Sequence, residues 1–149
     1  MSDREEEFSN LMENMYVILR LMNKYNMPRH YGTEDELYLN EVHTLKCIAE
    51  HPGISLSELG ERTHRTKGAT SMMINKLESK GLVSKRCAAA DVRRYELNLT
   101  EKGEQVDRFH LSYDEGHYRD MLDFVPDAQA ADFRRVNQIL EGLIRYYLS

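Results

Sequence analysis

Between Ser55 and Leu99 the apolar period of the chain changes from 3.6 residues to 2, which restricts this stretch to short helices followed by a hairpin. Ser55-Leu56-Ser57-Glu58 has capping-box spacing, in which the serine hydroxyl and the glutamate carboxylate satisfy backbone N–H groups that a helix start leaves open. It predicts a short helix over 56–63. After the turn His64-Arg65, a second helix is predicted from Thr66 to Lys80, with Thr70, Met73, Ile74 and Leu77 facing inward. Gly81 supplies the left-handed residue that closes it, and Leu82 folds back on its last turn. Residues 83–87 then read as a strand. In Arg94-Tyr95-Glu96-Leu97-Asn98-Leu99, the residues Tyr95, Leu97 and Leu99 share one face of a second strand, with 88–92 as the hairpin tip.

The flanks are helical. Residues 1–7 are polar and expected to fray, and from Phe8 the stripe Phe8, Leu11, Met12, Met15, Ile18, Leu19, Met22 predicts an amphipathic helix ending before Pro28. Residues 29–38 read as a connection. Asn40 is expected to cap a helix with apolar positions Val42, Leu45, Ile48 and Ala49, ended by Pro52-Gly53. Thr100-Glu101 starts a helix running to about Phe124 and interrupted or bent near Gly116, and Pro126 is expected in the first turn of a last helix. Phe133, Val136, Leu140, Leu143 and Tyr147 form the seam of that helix. The predicted architecture is mainly α with a small β-hairpin wing, in one domain spanning 1–149. A winged helix-turn-helix covers 40–100, a connecting helix 101–124, and dimerisation helices 8–26 and 126–148. Both terminal helices carry wider apolar faces than one winged helix needs, so two-fold pairing is expected.

Charge separates along the chain. Residues 62–94 hold nine basic side chains against Glu78 and Asp91, a local net charge of +7, while the whole chain totals -5. A basic face on an acidic body attracts a polyanion in one orientation. With 41% hydrophobic residues the chain has material for a core, and it has no apolar run long enough to span a membrane. It carries no basic-then-apolar leader, and its two cysteines, Cys47 and Cys87, lie too far apart for a metal or redox pair motif. A cytoplasmic protein with no membrane partner is expected.

A helix-turn-helix reads double-stranded DNA by the start of its second helix, where small residues let the backbone approach the major groove. That start is Thr66-Lys67-Gly68-Ala69-Thr70-Ser71. Lys67, Ser71 and Asn75 recur at four-residue intervals, sharing one face with side chains suited to base edges. Arg65 and Lys76 suit phosphates. On the wing, Arg93 and Arg94 suit the minor groove, with Asp91 expected to hold Arg93 extended through an ion pair.

These parts together resemble the MarR family of bacterial transcription regulators. The likeness runs from Ser57-Glu58-Leu59 through Asn75-Lys76-Leu77-Glu78-Ser79-Lys80-Gly81-Leu82-Val83, to Asp91-Val92-Arg93-Arg94 and Leu99-Thr100-Glu101-Lys102-Gly103. The resemblance implies a homodimer that binds a pseudo-palindromic operator and represses until a ligand is sensed. Met72 departs from it, standing where many members carry a basic or polar DNA-facing residue.

Three sensing chemistries are open. A small organic effector at the junction of the dimer and DNA-binding parts is one, with no cofactor required. Zn²⁺ is another: His110, Asp114 and His117 share one face of the connecting helix, and with His43 they offer four ligands from two helices. The family's zinc-responsive branch has a similar arrangement, although here an Asp replaces the second His of an H-x-x-x-H pair. Oxidation is the third, since His43 precedes Cys47 by four residues and can lower its pKa. No G-x-S-x-G, P-loop or G-x-G-x-x-G is present, so an enzyme is not expected. A winged helix serving only as a protein-interaction module is the alternative, and it has no use for the basic helix and wing.

Overall fold

The computed structural model describes residues 1–89 and 91–149, with the side chains of 91–93 outside the description. In chain order the elements are α1 (Asp3–Lys24), β1 (Arg29–His30), β2 (Glu36–Leu37), α2 (Leu39–Glu50), α3 (Leu56–Arg62), α4 (Lys67–Ser79), β3 (Val83–Ala88), β4 (Asp91–Leu99), α5 (Glu101–Leu122) and α6 (Ala130–Leu148). The mainly helical winged architecture is as expected. Among the described residues, no helix is long and apolar enough to cross a membrane. The chain forms two compact units, 1–110 and 111–149.

The core lies in the first unit. Leu45 and Ile48 of α2, Leu59 of α3, Ile74 and Leu77 of α4, Leu97 of β4 and Val106 of α5 are each at most 1% exposed. Burying a side chain of this size contributes about 1.5–3 kcal/mol, so the two short helices are held by their neighbours and not by propensity. The hairpin pairs antiparallel, Val83 opposite Leu99 and Cys87 opposite Tyr95, with a register shift between Cys87 and Ala88. Ile54 extends it: its carbonyl accepts from Leu97 N–H at 2.9 Å. Leu97 is buried as expected, whereas Tyr95, farther out on the same face, is 45% exposed because the wing outruns the core.

Four boundaries differ from expectation. The first helix begins at Asp3, because Ser2 and Glu5 form a capping box (Glu5 N–H to Ser2 Oγ 3.4 Å, Ser2 N–H to Glu5 Oε2 2.7 Å) that orders the polar start. The N-cap of α2 is Tyr38, not Asn40. Its N–H donates to Glu41 Oε2 at 2.9 Å, so a glutamate reaching back replaces the asparagine cap. α5 runs uninterrupted through Gly116, since one solvent-facing glycine costs a helix only about 1 kcal/mol. Pro126 lies in the turn before α6, which starts at Ala130 behind Gln129.

The end of α4 and the start of α5 meet at Gly81-Leu82. Gly81 has φ +70°, the Leu82 N–H returns to Leu77 O at 3.0 Å, and Leu82 is fully buried. Thr100 then donates its N–H to Leu82 O (3.1 Å) and its hydroxyl to Gly81 O (2.6 Å), and Lys102 Nζ donates to Lys80 O (2.9 Å). Gly103 is part of this docking because a Cβ there would overlap the Leu82 carbonyl. Gly103→Ala should therefore destabilise the fold by about 1–3 kcal/mol, as overpacking does. The midpoint of urea unfolding reads this, and an unchanged midpoint would contradict the docking.

Candidate nucleic-acid interface

The α3–α4 pair is built by two caps and a strained turn. Ser55 Oγ accepts from Glu58 N–H (3.2 Å) while Glu58 Oε2 accepts from Ser55 N–H (2.9 Å), which is the predicted capping box. Thr66 caps α4, its hydroxyl accepting from Ala69 N–H at 3.2 Å. Between them His64 takes φ +53°, and Arg65 N–H donates to Gly60 O at 2.9 Å, so the chain reverses within three residues.

On α4, Thr70, Ile74 and Leu77 point into the core, leaving Lys67, Gly68, Ala69, Met72 and Asn75 exposed and Ser71 half-buried. Met72 is 75% exposed, an apolar side chain in the middle of a polar face. Lys67, Ser71 and Asn75 thus share the outer face expected of them.

Several expected cations are already engaged. Asn75 Oδ1 accepts from Lys85 Nζ of β3 at 2.6 Å, and Lys85 also pairs with Glu78 at 2.9 Å. Arg94 pairs with Glu58 at 3.2 Å and so ties the wing to α3. Arg65 reaches α2, donating to Thr44 Oγ1 at 2.8 Å and to Asn40 O at 3.4 Å. Lys76 lies 3.3 Å from Glu41 with half of its side chain exposed. The expected Asp91–Arg93 ion pair falls outside the described residues.

Glu41 is a site residue that sequence reasoning misses. It is 1% exposed and holds Lys80 at 2.8 Å and Lys76 at 3.3 Å from one oxygen, joining the start of α2 to α4. Burial pushes its carboxyl up. Hydrogen bonds from Lys80, from the Tyr38 N–H and from Lys76 outweigh that and hold it below the ordinary value. Its capping-box spacing after Tyr38 is the only sequence signal.

Two of the expected metal ligands, His43 of α2 and His110 of α5, have ring centroids 5.2 Å apart. His110 is 1% exposed and meets Tyr31 edge-on. Asp114 and His117 stand one and two turns farther along α5, in the second unit, where Asp114 accepts from Tyr118 Oη (2.9 Å) and His117 stacks on Tyr113. Cys47 packs against the core, and burial pushes its thiol up despite Arg62 and Arg65, opposite to the lowering expected from His43.

Residues 37–95, from the end of β2 into β4, match the family model described as MarR. Over this segment the chain is similar to the MarR family. Its curated relatives include the transcriptional regulator HosA of Escherichia coli O127:H6, 39% identical over 62 residues that make up 42% of this chain and 46% of HosA. The matched stretch spans about half the length of the curated relatives. Among solved structures, the regulator BldR of Sulfolobus solfataricus is similar at 27% identity, covering 99% of this chain and 98% of BldR with a TM-score of 0.65. The zinc-responsive MarR family member ZitR of Lactococcus lactis is similar at 17% identity, over 94% and 99% of the two chains with a TM-score of 0.67, and has also been solved with DNA.

Within this segment the Glu41 clamp has a pH signature. A lowered folded pKa gives stability that is present above the unfolded value of 4.5 and lost as pH falls through the folded value. Glu41→Gln should cost about 1–3 kcal/mol at neutral pH, and the gap to the parent should close under acid. A gap in urea-unfolding stability that stays constant into the acid range would contradict the clamp.

Proposed function

We propose that the chain is a DNA-binding transcriptional regulator that acts as a homodimer on a pseudo-palindromic operator, as a repressor whose hold is released by a small organic effector. The observation that carries this reading is the outer face of α4. A threonine-capped helix start with glycine and alanine beside it presents Lys67, Ser71 and Asn75 outward while its opposite side is locked into the core. Groove entry needs this combination of a rigid back and a small, polar front. In this reading Arg65, Thr66 and Lys76 contact phosphates, with Gly68 letting the backbone approach, and Arg94 and Arg93 carry the wing, Asp91 beside them. A protein-interaction module would have no use for the outward Lys67 and the small, polar helix start beside it.

Dimerisation has separate support. In the second unit no described residue is buried, although α6 carries Phe133, Val136, Ile139, Leu140, Leu143, Ile144 and Tyr147 along one stripe. In the first unit α1 also buries none of its residues, and Ile18, Leu19 and Met22 are each more than 50% exposed. Apolar faces of this extent in a monomer call for a partner surface, and a second copy supplies it by two-fold symmetry.

The test is a gel shift with DNA upstream of the chain's own gene, beside sedimentation equilibrium at micromolar concentration. Specific retardation that falls steeply with salt, by a dimer, is expected. Ser71→Ala or Asn75→Ala should relax base preference, at a cost of about 1–3 kcal/mol for each base-edge hydrogen-bonding pair removed. A monomer, or variants that bind the same site as tightly as the parent, would overturn the reading.

The paired imidazoles of His43 and His110 favour a second reading of the effector, in which Zn²⁺ is held by these two with Asp114 or His117. Zinc requires neutral imidazoles, so binding should weaken toward pH of about 6.5. His110→Ala should abolish any zinc effect on operator binding, and equal operator affinity in chelator and in zinc would sink this reading.

A further inference from the structure

An open cavity of about 480 Å³ has walls from α2, the end of α3 and the turn that follows. Its size falls among small-ligand sites, about 300–1,000 Å³. Lys46, Arg62 and Arg65 line it, with Glu50 as the only carboxylate among the lining residues. Neither Lys46, Arg62 nor Arg65 has an ion-pair partner among the described residues, in contrast to Lys76, Lys80, Lys85 and Arg94 of the same unit.

The cations are also partly pre-positioned. Arg65 is fixed by its bond to Thr44 Oγ1, whose own hydrogen donates to Asn40 O at 2.7 Å. The donors that Arg65 does not spend on α2 remain available. His51 approaches Cys47 O through Nδ1 at 3.0 Å, which orients the ring and leaves Nε2 for another contact, and His64 adds a second imidazole at the rim.

We propose that this cavity binds the phosphate group of a small phosphate monoester. Three cations against one carboxylate leave a charge of +2, which matches a monoester bearing nearly two negative charges at neutral pH. Cations in excess of their counter-charges repel one another, and a dianion seated among them offsets that repulsion. Guanidinium forks bind phosphate oxygens in pairs, which adds geometry to charge. A singly charged diester such as the DNA backbone leaves one positive charge unmatched, so the free monoester is the better occupant. Arg65 is shared with the phosphate contacts of the proposed function, whereas Lys46 and Arg62 belong to the cavity alone, so their variants separate the two readings.

The test is isothermal titration of the full chain at low ionic strength in a buffer free of phosphate, with phenyl phosphate and with dimethyl phosphate. Saturable binding of phenyl phosphate is expected, at least about tenfold tighter than dimethyl phosphate, given charge-assisted hydrogen bonds of about 1.5–3 kcal/mol each. Arg62→Gln and, separately, Lys46→Gln should each weaken phenyl phosphate about tenfold or more on the same scale, with far-ultraviolet circular dichroism unchanged. Absence of saturable binding, or equal binding by parent and both variants, overturns the proposal. So does dimethyl phosphate binding as tightly as the monoester while Arg62→Gln weakens a DNA duplex, for the cavity is then a seat for the DNA backbone. Loss of DNA binding with phosphate binding intact would overturn the regulator reading alone.

Discussion

One buried carboxylate sets how α4 is carried. Glu41 is removed from water yet stays charged because two lysines of α4 and a backbone N–H converge on it. An uncompensated buried charge costs several kcal/mol, so the start of α2 and the C-terminal half of α4 cannot separate cheaply. The apolar contacts of Ile74 and Leu77 fix the depth of α4, and the ion pairs fix its rotation about its own axis. Rotation decides which side chains face outward, so the outward set of Lys67, Ser71 and Asn75 depends on this pairing.

The same economy runs through the unit. Glu58 serves twice, closing the cap of α3 and holding Arg94 of the wing. Lys85 likewise neutralises Glu78 and steadies the Asn75 amide. The basic excess of residues 62–94 is therefore less free than its net charge of +7 suggests. Part of it organises the fold, and the rest includes Arg62 at the end of α3, Lys67 at the start of α4 and Arg86 on the wing. Exposed ion pairs of this kind contribute little stability, about 0–1 kcal/mol each, and their effect is to orient side chains.

Local signals carry most of the helix and hairpin assignments. The capping box at Ser55, the glycine exit at Gly81 and the alternation through Leu97 act over a few residues, and the structure places each where its spacing indicates. Boundaries are misjudged where two local solutions compete. At Asn40 a polar residue looks like a cap, but Glu41 reaching back to Tyr38 wins because the same carboxylate also meets Lys80 and Lys76 from a distant helix. Pro126 suits a helix start, yet the chain uses it in a turn and begins α6 four residues later. The partners of the cations are illegible for the same reason. Arg65 to Thr44 and Lys85 to Asn75 are contacts between elements, which periodicity does not encode. The outer face of α4 is legible because helical spacing determines which residues share it, although the Glu41 pairing that sets the rotation is not.

The most direct measurement of that face is a nitrogen–proton NMR titration of the full chain with a short mixed-sequence duplex at low salt. The account predicts amide shifts concentrated in residues 64–76 and in the wing strands, with α6 amides unmoved. Shifts confined to α6 or to the 46–51 stretch of α2, or none at all, would contradict it.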